Sequence, residues 1–129
     1  YSINERTRAF VKIQDGCDYV CSYCTIPKAR GKSRSGTINN IVSSIKDIVG
    51  SEINEIILSG INVGDFGKDN NENLLQLIFE IEKIVKLKRY RISSIEPNLL
   101  NEKIIQLIAK SAAYSGVELF LLIIPSTCA

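Results

Sequence analysis

The sequence predicts an α/β protein with parallel strands and outer helices, corresponding to the first half of a β/α barrel. Short apolar runs alternate with segments of helical periodicity, and polar or cysteine-rich segments follow the apolar runs. This alternation is typical of parallel strands joined by right-handed helical crossovers. A complete barrel of this kind takes about 250 residues, so the chain of 129 residues supplies only part of one.

Four strands are predicted from the apolar runs, at residues 9–13, 55–58, 89–95 and 117–124. The turn signal Asp15-Gly16 ends the first strand, and Ser59-Gly60 ends the second. In folds of this class the chemistry lies in loops after the carboxyl ends of the strands. The segments that follow the first three strands are therefore the candidate site.

Three amphipathic helices are predicted between the strands. The first spans residues 38–49 and stops at Gly50, and the second spans residues 74–85, with Glu82 and Lys86 as an i,i+4 surface pair. The third opens at Pro97-Asn98 and carries its apolar side chains over residues 100–108. Residues 28–36 are predicted to form a basic loop, and residues 61–73 form a second loop rich in Gly, Asp and Asn.

Composition excludes several function classes. The chain has 16 Lys and Arg against 14 Asp and Glu and contains no histidine, which excludes Ser-His-Asp and Cys-His nucleophile schemes. The first ten residues are polar and charged, and the longest apolar run is far shorter than the roughly 18 residues of a membrane-spanning helix. We therefore expect a cytoplasmic protein with no membrane association. Because the sequence has no initiator methionine, we also expect the chain to be an excerpt of a longer one.

Three of the four cysteines, Cys17, Cys21 and Cys24, form the pattern C-x3-C-x2-C after the first strand. Three thiolates this close can ligate three irons of a cuboidal iron–sulfur cluster and leave the fourth iron open to a substrate. A zinc site completed by Cys128, within a small nucleic-acid-binding module, is the alternative from another class. A redox Cys21/Cys24 pair, an electron-transfer protein and incidental buried cysteines are weaker alternatives.

The pattern C-x3-C-x-aromatic-C after the first strand resembles the radical S-adenosylmethionine (SAM) superfamily. The wider context, RAFVKIQDGCDYVCSYCTIPKARGKSRS, resembles the methylthiotransferases. Within these, RTRAFVKIQDGC, LSGINVGDFG and RISSIEPNLL are similar to the enzymes that methylthiolate threonylcarbamoyladenosine in tRNA. The fold implied is the first half of a radical SAM partial β/α barrel, and the nearest rivals act on isopentenyladenosine in tRNA or on a ribosomal protein.

The resemblance implies that Cys17, Cys21 and Cys24 bind a [4Fe-4S] cluster whose open iron chelates S-adenosyl-L-methionine. An electron from the cluster then releases a 5′-deoxyadenosyl radical, which abstracts a hydrogen from C2 of the target adenosine. No side chain is implied as a catalytic residue; the protein positions the cofactor and excludes water. The remaining cofactor-binding residues that it implies are Tyr23 beside the adenine, Ser59 and Gly60 at the methionine end, Asn62 (with Asp65) on the same loop, and Ser94 and Glu96 after the third strand.

One basic cluster, Lys28, Arg30, Lys32 and Arg34, follows the cysteines directly. Four cations within seven residues can contact RNA phosphates, although a solvated charged loop is an equal alternative. Their place beside the cysteines makes them the candidate RNA-binding residues. The partners expected are tRNA, through a full-length enzyme, and an electron donor such as flavodoxin or ferredoxin.

Residues 1–129 are predicted to be the N-terminal part of the radical SAM core, with residues 112–129 a divergent or truncated end. We expect the N-terminal cluster domain and the C-terminal RNA-binding domain that the resemblance implies to be absent from this chain. We therefore expect the chain alone to be poorly soluble and inactive in methylthiolation.

Overall fold

The computed structural model of the chain describes residues 2–5, 8–51 and 53–111. Its strands are β1 (Ser2–Glu5), β2 (Arg8–Lys12), β3 (Gln14–Asp15), β4 (Arg34–Ser35), β5 (Glu55–Ser59) and β6 (Arg89–Ile92). The main sheet has the order β1-β2-β5-β6, in which β1 is antiparallel to β2 and the other pairs are parallel. β3 and β4 form a separate antiparallel ladder of two residues each.

The helices are α1 (Ile26–Arg30), α2 (Ile38–Val49), α3 (Leu74–Glu82) and α4 (Glu102–Lys110). Each of the last three starts at a polar cap, where the side chains of Thr37, Asn73 and Asn101 accept a backbone N–H from the first turn. Asn73 and Gln76 bond reciprocally as a capping box. The local sequence therefore explains where these helices begin.

The core lies between one face of the parallel strands and the apolar stripes of α2 and α3. Alternate residues of each strand point to this face, so that Val11, Ile56, Leu58, Tyr90 and Ile92 are buried. From the helices they meet Ile45, Ile48, Leu77, Ile78 and Ile81, none more than 1% exposed. Burial of this side of the sheet fixes the register, because a slip of one residue would turn these side chains away from the helices.

The first two predicted strands are confirmed as β2 and β5, to within one residue at each end. The third ends at Ile92 instead of residue 95, because Ser94 has a left-handed backbone (φ 55°) that cannot continue a strand. The predicted strand at residues 117–124 lies outside the described residues. The described part is thus an α/β sheet with three parallel strands.

The helix predictions are confirmed for α2 and need correction for the others. α3 ends at Glu82, which leaves Val85 97% exposed, and Glu82 accepts hydrogen bonds from Tyr90 and Ser111 rather than pairing with Lys86. Pro97-Asn98 opens only a single 3-10 turn (Pro97–Leu99), and α4 begins five residues later. The basic segment, residues 28–36, is not a simple loop, since it contains the end of α1 and all of β4.

Candidate functional site

Three loops meet at the carboxyl edge of the sheet, because parallel strands end on the same side. Lys12 lies in register with Ser59, and Leu58 with Ile92, so β2, β5 and β6 end side by side. The segments that follow these strands are named here: the cysteine loop (residues 16–25), the β5 loop (residues 60–73) and the β6 loop (residues 93–101). The fold thus brings together the three segments that the sequence singled out.

The cysteine loop is closed at both ends by backbone hydrogen bonds. It enters through Gly16 (φ 72°), where a Cβ atom would lie 2.0 Å from the carbonyl oxygen of Lys32, so that only glycine fits. The Cys17 N–H donates to the Gly31 carbonyl at 3.1 Å, and the Cys24 N–H donates to the Cys21 carbonyl at 3.1 Å. All three cysteines therefore lie on one compact loop at the sheet edge.

Gln14, which the sequence analysis did not single out, joins the cysteine loop to the β5 loop. Its side chain is buried, and its Nε2 donates to the Gly16 carbonyl at 2.8 Å and to the Ser33 hydroxyl at 2.9 Å. Its Oε1 accepts the backbone N–H groups of Ile61 and Asn62, both at 2.9 Å. A polar residue between an apolar strand and an Asp-Gly turn is the sequence signal for this clamp.

A charged cluster links the middle of the cysteine loop to the β5 loop. The Asp65 carboxylate, whose side chain has no exposed surface, pairs with Lys68 Nζ at 2.7 Å. The same oxygen accepts the Tyr19 hydroxyl at 3.3 Å, and the other accepts Asn62 Nδ2 at 3.3 Å. The hydrogen bond to Asp65 raises the pKa of Lys68, and burial together with the Asp65 charge raises the pKa of Tyr19.

The thiols of Cys17 and Cys24 are half-buried and not in a disulfide. Burial raises the pKa of Cys17, and the nearby groups Asp65, Cys24 and Glu96 raise it further, opposed by the Tyr19 backbone N–H. Asp65 and Glu96 come from the other two loops, so the electrostatic environment of Cys17 is built by all three. A positive ion at this thiol would reverse the effect of burial and favour the thiolate.

The donor set fits an iron–sulfur cluster in chemistry, since thiolates are the usual ligands of its irons. The ligands are not preassembled, because no three His, Cys, Asp or Glu side chains within the described ranges are grouped to hold a metal ion. Binding would thus draw in the thiols of a loop that is already closed at both ends. The buried Asn62 Oδ1 has no hydrogen-bond partner among the described residues, which leaves one acceptor near this loop unused.

The other predicted cofactor residues lie at the same edge but in different settings. Tyr23 is fully exposed on the cysteine loop, and the Ser59 hydroxyl donates to the Val11 carbonyl at 3.4 Å, within the sheet. Gly60 is packed against Gln14, where a Cβ atom would lie 2.9 Å from Oε1. This glycine is therefore explained by the clamp as well as by any ligand.

The β6 loop contributes Ser94 and Glu96. The Ser94 carbonyl accepts the Val63 N–H at 3.0 Å, which ties this loop to the β5 loop, and its positive φ is unusual for a serine. Glu96 is half-buried and precedes the 3-10 turn Pro97–Leu99 without capping it. Its carboxylate is thus not used by the turn and lies near Cys17.

The predicted basic cluster falls into two pairs: two arginines that bind Asp15 and two lysines that do not. Asp15 binds three cations, with Arg34 Nη2 and Lys12 Nζ each at 2.7 Å from Oδ2 and Arg30 Nη1 at 3.4 Å from Oδ1. The hydrogen bond from Lys12 leads the effects that lower the pKa of Asp15 to about 2. Lys28 and Lys32 are exposed and form no ion pair with any residue of the described part. The positive charge around Asp15 is therefore ordered and in net excess.

The chain belongs to the Radical SAM superfamily, because the model of this family matches residues 11–122. A methylthiotransferase of Helicobacter pylori strain 26695 is 43% identical over 103 residues, covering 80% of this chain and 25% of the relative. The threonylcarbamoyladenosine tRNA methylthiotransferase MtaB of Chlamydia pneumoniae is 40% identical over 111 residues, covering 86% of this chain and 26% of the relative. The tRNA-2-methylthio-N(6)-dimethylallyladenosine synthase of Clostridium botulinum is 38% identical over 105 residues, covering 80% of this chain and 23% of the relative.

The resemblance drawn from the cysteine pattern and its flanks is therefore confirmed. The chain spans about a quarter of the length of the curated relatives it matches. None of these relatives is named as a zinc-binding module. In the described residues no helix has both the length and the apolarity needed to cross a bilayer.

Proposed function

We propose that the chain is the cluster-binding part of a tRNA methylthiotransferase that acts on threonylcarbamoyladenosine. The observation that carries this proposal is the C-x3-C-x2-C loop at the carboxyl edge of a parallel sheet, in a chain similar to methylthiotransferases over most of its length. The proposal includes the rest of a partial β/α barrel, a cytoplasmic location, tRNA as partner and a flavodoxin- or ferredoxin-like electron donor.

In this proposal Cys17, Cys21 and Cys24 hold a [4Fe-4S] cluster and leave one iron for SAM. When bound, the cluster supplies the electron that cleaves SAM to methionine and a 5′-deoxyadenosyl radical. Gln14 keeps the cysteine loop against the β5 loop, and Ser94 ties the β6 loop to the β5 loop. These contacts hold the three loops at one edge.

Further residues are assigned to SAM by their place at this edge. Asn62 offers an unpaired buried acceptor, and Glu96 offers a carboxylate that the following turn does not use. Ser94, Ser59 and Gly60 line the same edge, and the exposed ring of Tyr23 is free to cover the adenine.

The basic residues are proposed to contact the phosphates of tRNA. Arg30 and Arg34 are held by Asp15, whereas Lys28 and Lys32 extend into solvent. Phosphate contacts of this kind add affinity without reading sequence. The choice of nucleoside is therefore assigned to other parts of the enzyme.

The first test is anaerobic reconstitution with iron and sulfide, followed by electron paramagnetic resonance of the reduced chain. We expect a [4Fe-4S]⁺ signal that changes when SAM is added, because one iron is open. Cys17→Ser, which removes one ligand, should lose this signal, whereas Cys128→Ser should keep it. Zinc uptake without such a signal, and loss of that zinc in Cys128→Ser, would favour a four-thiolate zinc site.

The substrate is tested with the full-length enzyme that contains this chain. Mass spectrometry of digested tRNA should show methylthiolation of threonylcarbamoyladenosine. The similarity to the dimethylallyladenosine synthase of C. botulinum makes isopentenyladenosine tRNA the second candidate. Methylthiolation of that nucleoside alone would support the proposed enzyme class and overturn the proposed substrate.

A further inference from the structure

Tyr19 occupies the middle of the arc between Cys17 and Cys21, and its hydroxyl is bound by a residue far away in sequence. The acceptor is Asp65, which is separated from it by 46 positions and lies in the β5 loop. Lys68 Nζ completes the contact, at 2.7 Å from Asp65 Oδ1 and 5.2 Å from the centre of the Tyr19 ring. Both the hydroxyl and the ring of Tyr19 are therefore engaged.

Asp65 is the fixed partner in this contact. Its side chain has no exposed surface, its backbone lies in the 3-10 turn Val63–Asp65, and Asn62 Nδ2 binds its second carboxylate oxygen. A buried carboxylate is stable only with a cation and hydrogen-bond donors around it, which Lys68, Tyr19 and Asn62 provide. Tyr19, in contrast, lies on a loop whose neighbouring side chains Asp18 and Val20 are exposed.

We propose that Tyr19, Asp65 and Lys68 act as positioning residues that hold the cysteine loop in its cluster-binding position. We call this group the Tyr19 latch. The Gln14 clamp and the Gly31 carbonyl hold the loop at its entrance, and the Cys21–Cys24 turn closes its far end. Between the first two cysteines, Asp18 Oδ1 accepts the Ser33 N–H at 3.0 Å, and the latch is the contact of this arc with the β5 loop. This inference rests on the proposed function for its relation to the cluster.

A comparison within the chain separates positioning from ordinary surface pairing. On α3, Lys83 Nζ pairs with Glu80 at 2.6 Å and lies 4.6 Å from the centre of the Phe79 ring. This trio repeats the lysine–carboxylate–aromatic combination of the latch, with the same i,i+3 spacing between lysine and carboxylate. However, it joins residues of one helix and its end, and its carboxylate is 41% exposed rather than buried. It therefore provides matched control variants.

The first measurement is hydrogen exchange of the amides of residues 17–24 in the metal-free chain. Tyr19→Phe keeps the ring beneath Lys68 and removes only the hydroxyl, so the chain should still fold. We expect exchange in the loop to become about five-fold faster, as loss of one net hydrogen bond predicts. Lys68→Met should increase exchange further, because it leaves the Asp65 charge without its cation, whereas Lys83→Met should match the wild type.

The second measurement is the iron content after reconstitution, with its electron paramagnetic resonance signal and reduction potential. Tyr19→Phe removes the same net hydrogen bond from the closed loop, so we expect iron binding to weaken by about five-fold as well. Lys68→Met should shift the potential to more negative values and Asp65→Asn to more positive values, because they change the charge beside Cys17 in opposite directions.

The two measurements separate failure of the latch from failure of the proposed function. Faster exchange in Tyr19→Phe, in a chain that binds no cluster, would retain the latch and overturn the proposed function. Normal cluster loading together with wild-type exchange in Tyr19→Phe would overturn the latch. Equal effects of Lys68→Met and Lys83→Met would overturn it as well, since a general surface effect would then explain both.

Discussion

Replacement of Gln14 by leucine is expected to destabilise the chain and release the cysteine loop from the β5 loop. Gln14 is 1% exposed, and both ends of its side-chain amide are fully used. Leucine has a similar volume but neither donates nor accepts. The substitution therefore removes the hydrogen bonds with little change in packing, and the effect measures the clamp itself.

The magnitude follows from the groups that lose their partner. The backbone N–H groups of Ile61 and Asn62 both point at Gln14 Oε1 at 2.9 Å, and Asn62 is buried. Each buried donor without a partner costs about 1–3 kcal/mol, and solvent can reach part of Ile61, so we expect a total of about 2–4 kcal/mol. Loss of the bonds to the buried Gly16 carbonyl and the half-buried Ser33 hydroxyl adds to this cost.

The assay is urea unfolding of the full chain, monitored by circular dichroism, with the free energy of unfolding extrapolated to water. Gln106→Leu is the matched control, because the exposed Gln106 side chain bonds only Glu102 among the described residues, so its substitution should cost less than about 0.5 kcal/mol. A Gln14→Leu variant as stable as this control would refute the assignment. In that case the loop contacts at the sheet edge would not depend on the clamp.

Two further predictions concern the same edge. Gly60→Ala should lower the free energy of unfolding by about 1–3 kcal/mol in urea titration, because the new methyl group would lie 2.9 Å from Gln14 Oε1 and 3.0 Å from its carbonyl oxygen; an unchanged value would contradict this packing. The pKa of Asp15, lowered from 3.8 to about 2 chiefly by Lys12, means that its ion pairs stabilise the fold above about pH 4 and that this contribution is lost as the pH falls towards 2. Carbon-13 NMR should show the Asp15 carboxyl titrating near pH 2, and in Asp15→Asn the unfolding free energy should lose this part of its dependence between pH 4 and 2.

Local patterns predicted much of the fold because each depends on near neighbours in sequence. The periodicity at residues 38–49 marks α2 from its cap to its last residue, and the runs at residues 9–13 and 55–58 mark β2 and β5. The predictions failed where a backbone conformation or a distant partner decides where an element ends or what a side chain contacts. Ser94 ends β6 early through its positive φ, and Glu82 turns to Tyr90 and Ser111, beyond the end of its own helix.

The candidate site shows the same division. The pattern C-x3-C-x-aromatic-C after the first strand resembled the superfamily because these ligands lie on one short loop, and the comparison confirmed the resemblance. The roles of Tyr23, Ser94 and Glu96 stay predictions. Arg30 and Arg34 proved to be bound to Asp15, a contact that spacing could not show since the partner precedes them by 15 and 19 positions.

The sequence by itself determined the order of strands and helices, the helix caps and the cysteine pattern, because these depend on residues close together along the chain. Only the tertiary structure decided which loops touch. The Gln14 clamp spans 47 and 48 positions, and the Tyr19 latch spans 46, and both exist because parallel strands end at one edge of the sheet. Polar side chains that meet there are buried by the fold, and burial makes their few hydrogen bonds decisive for the shape of the site.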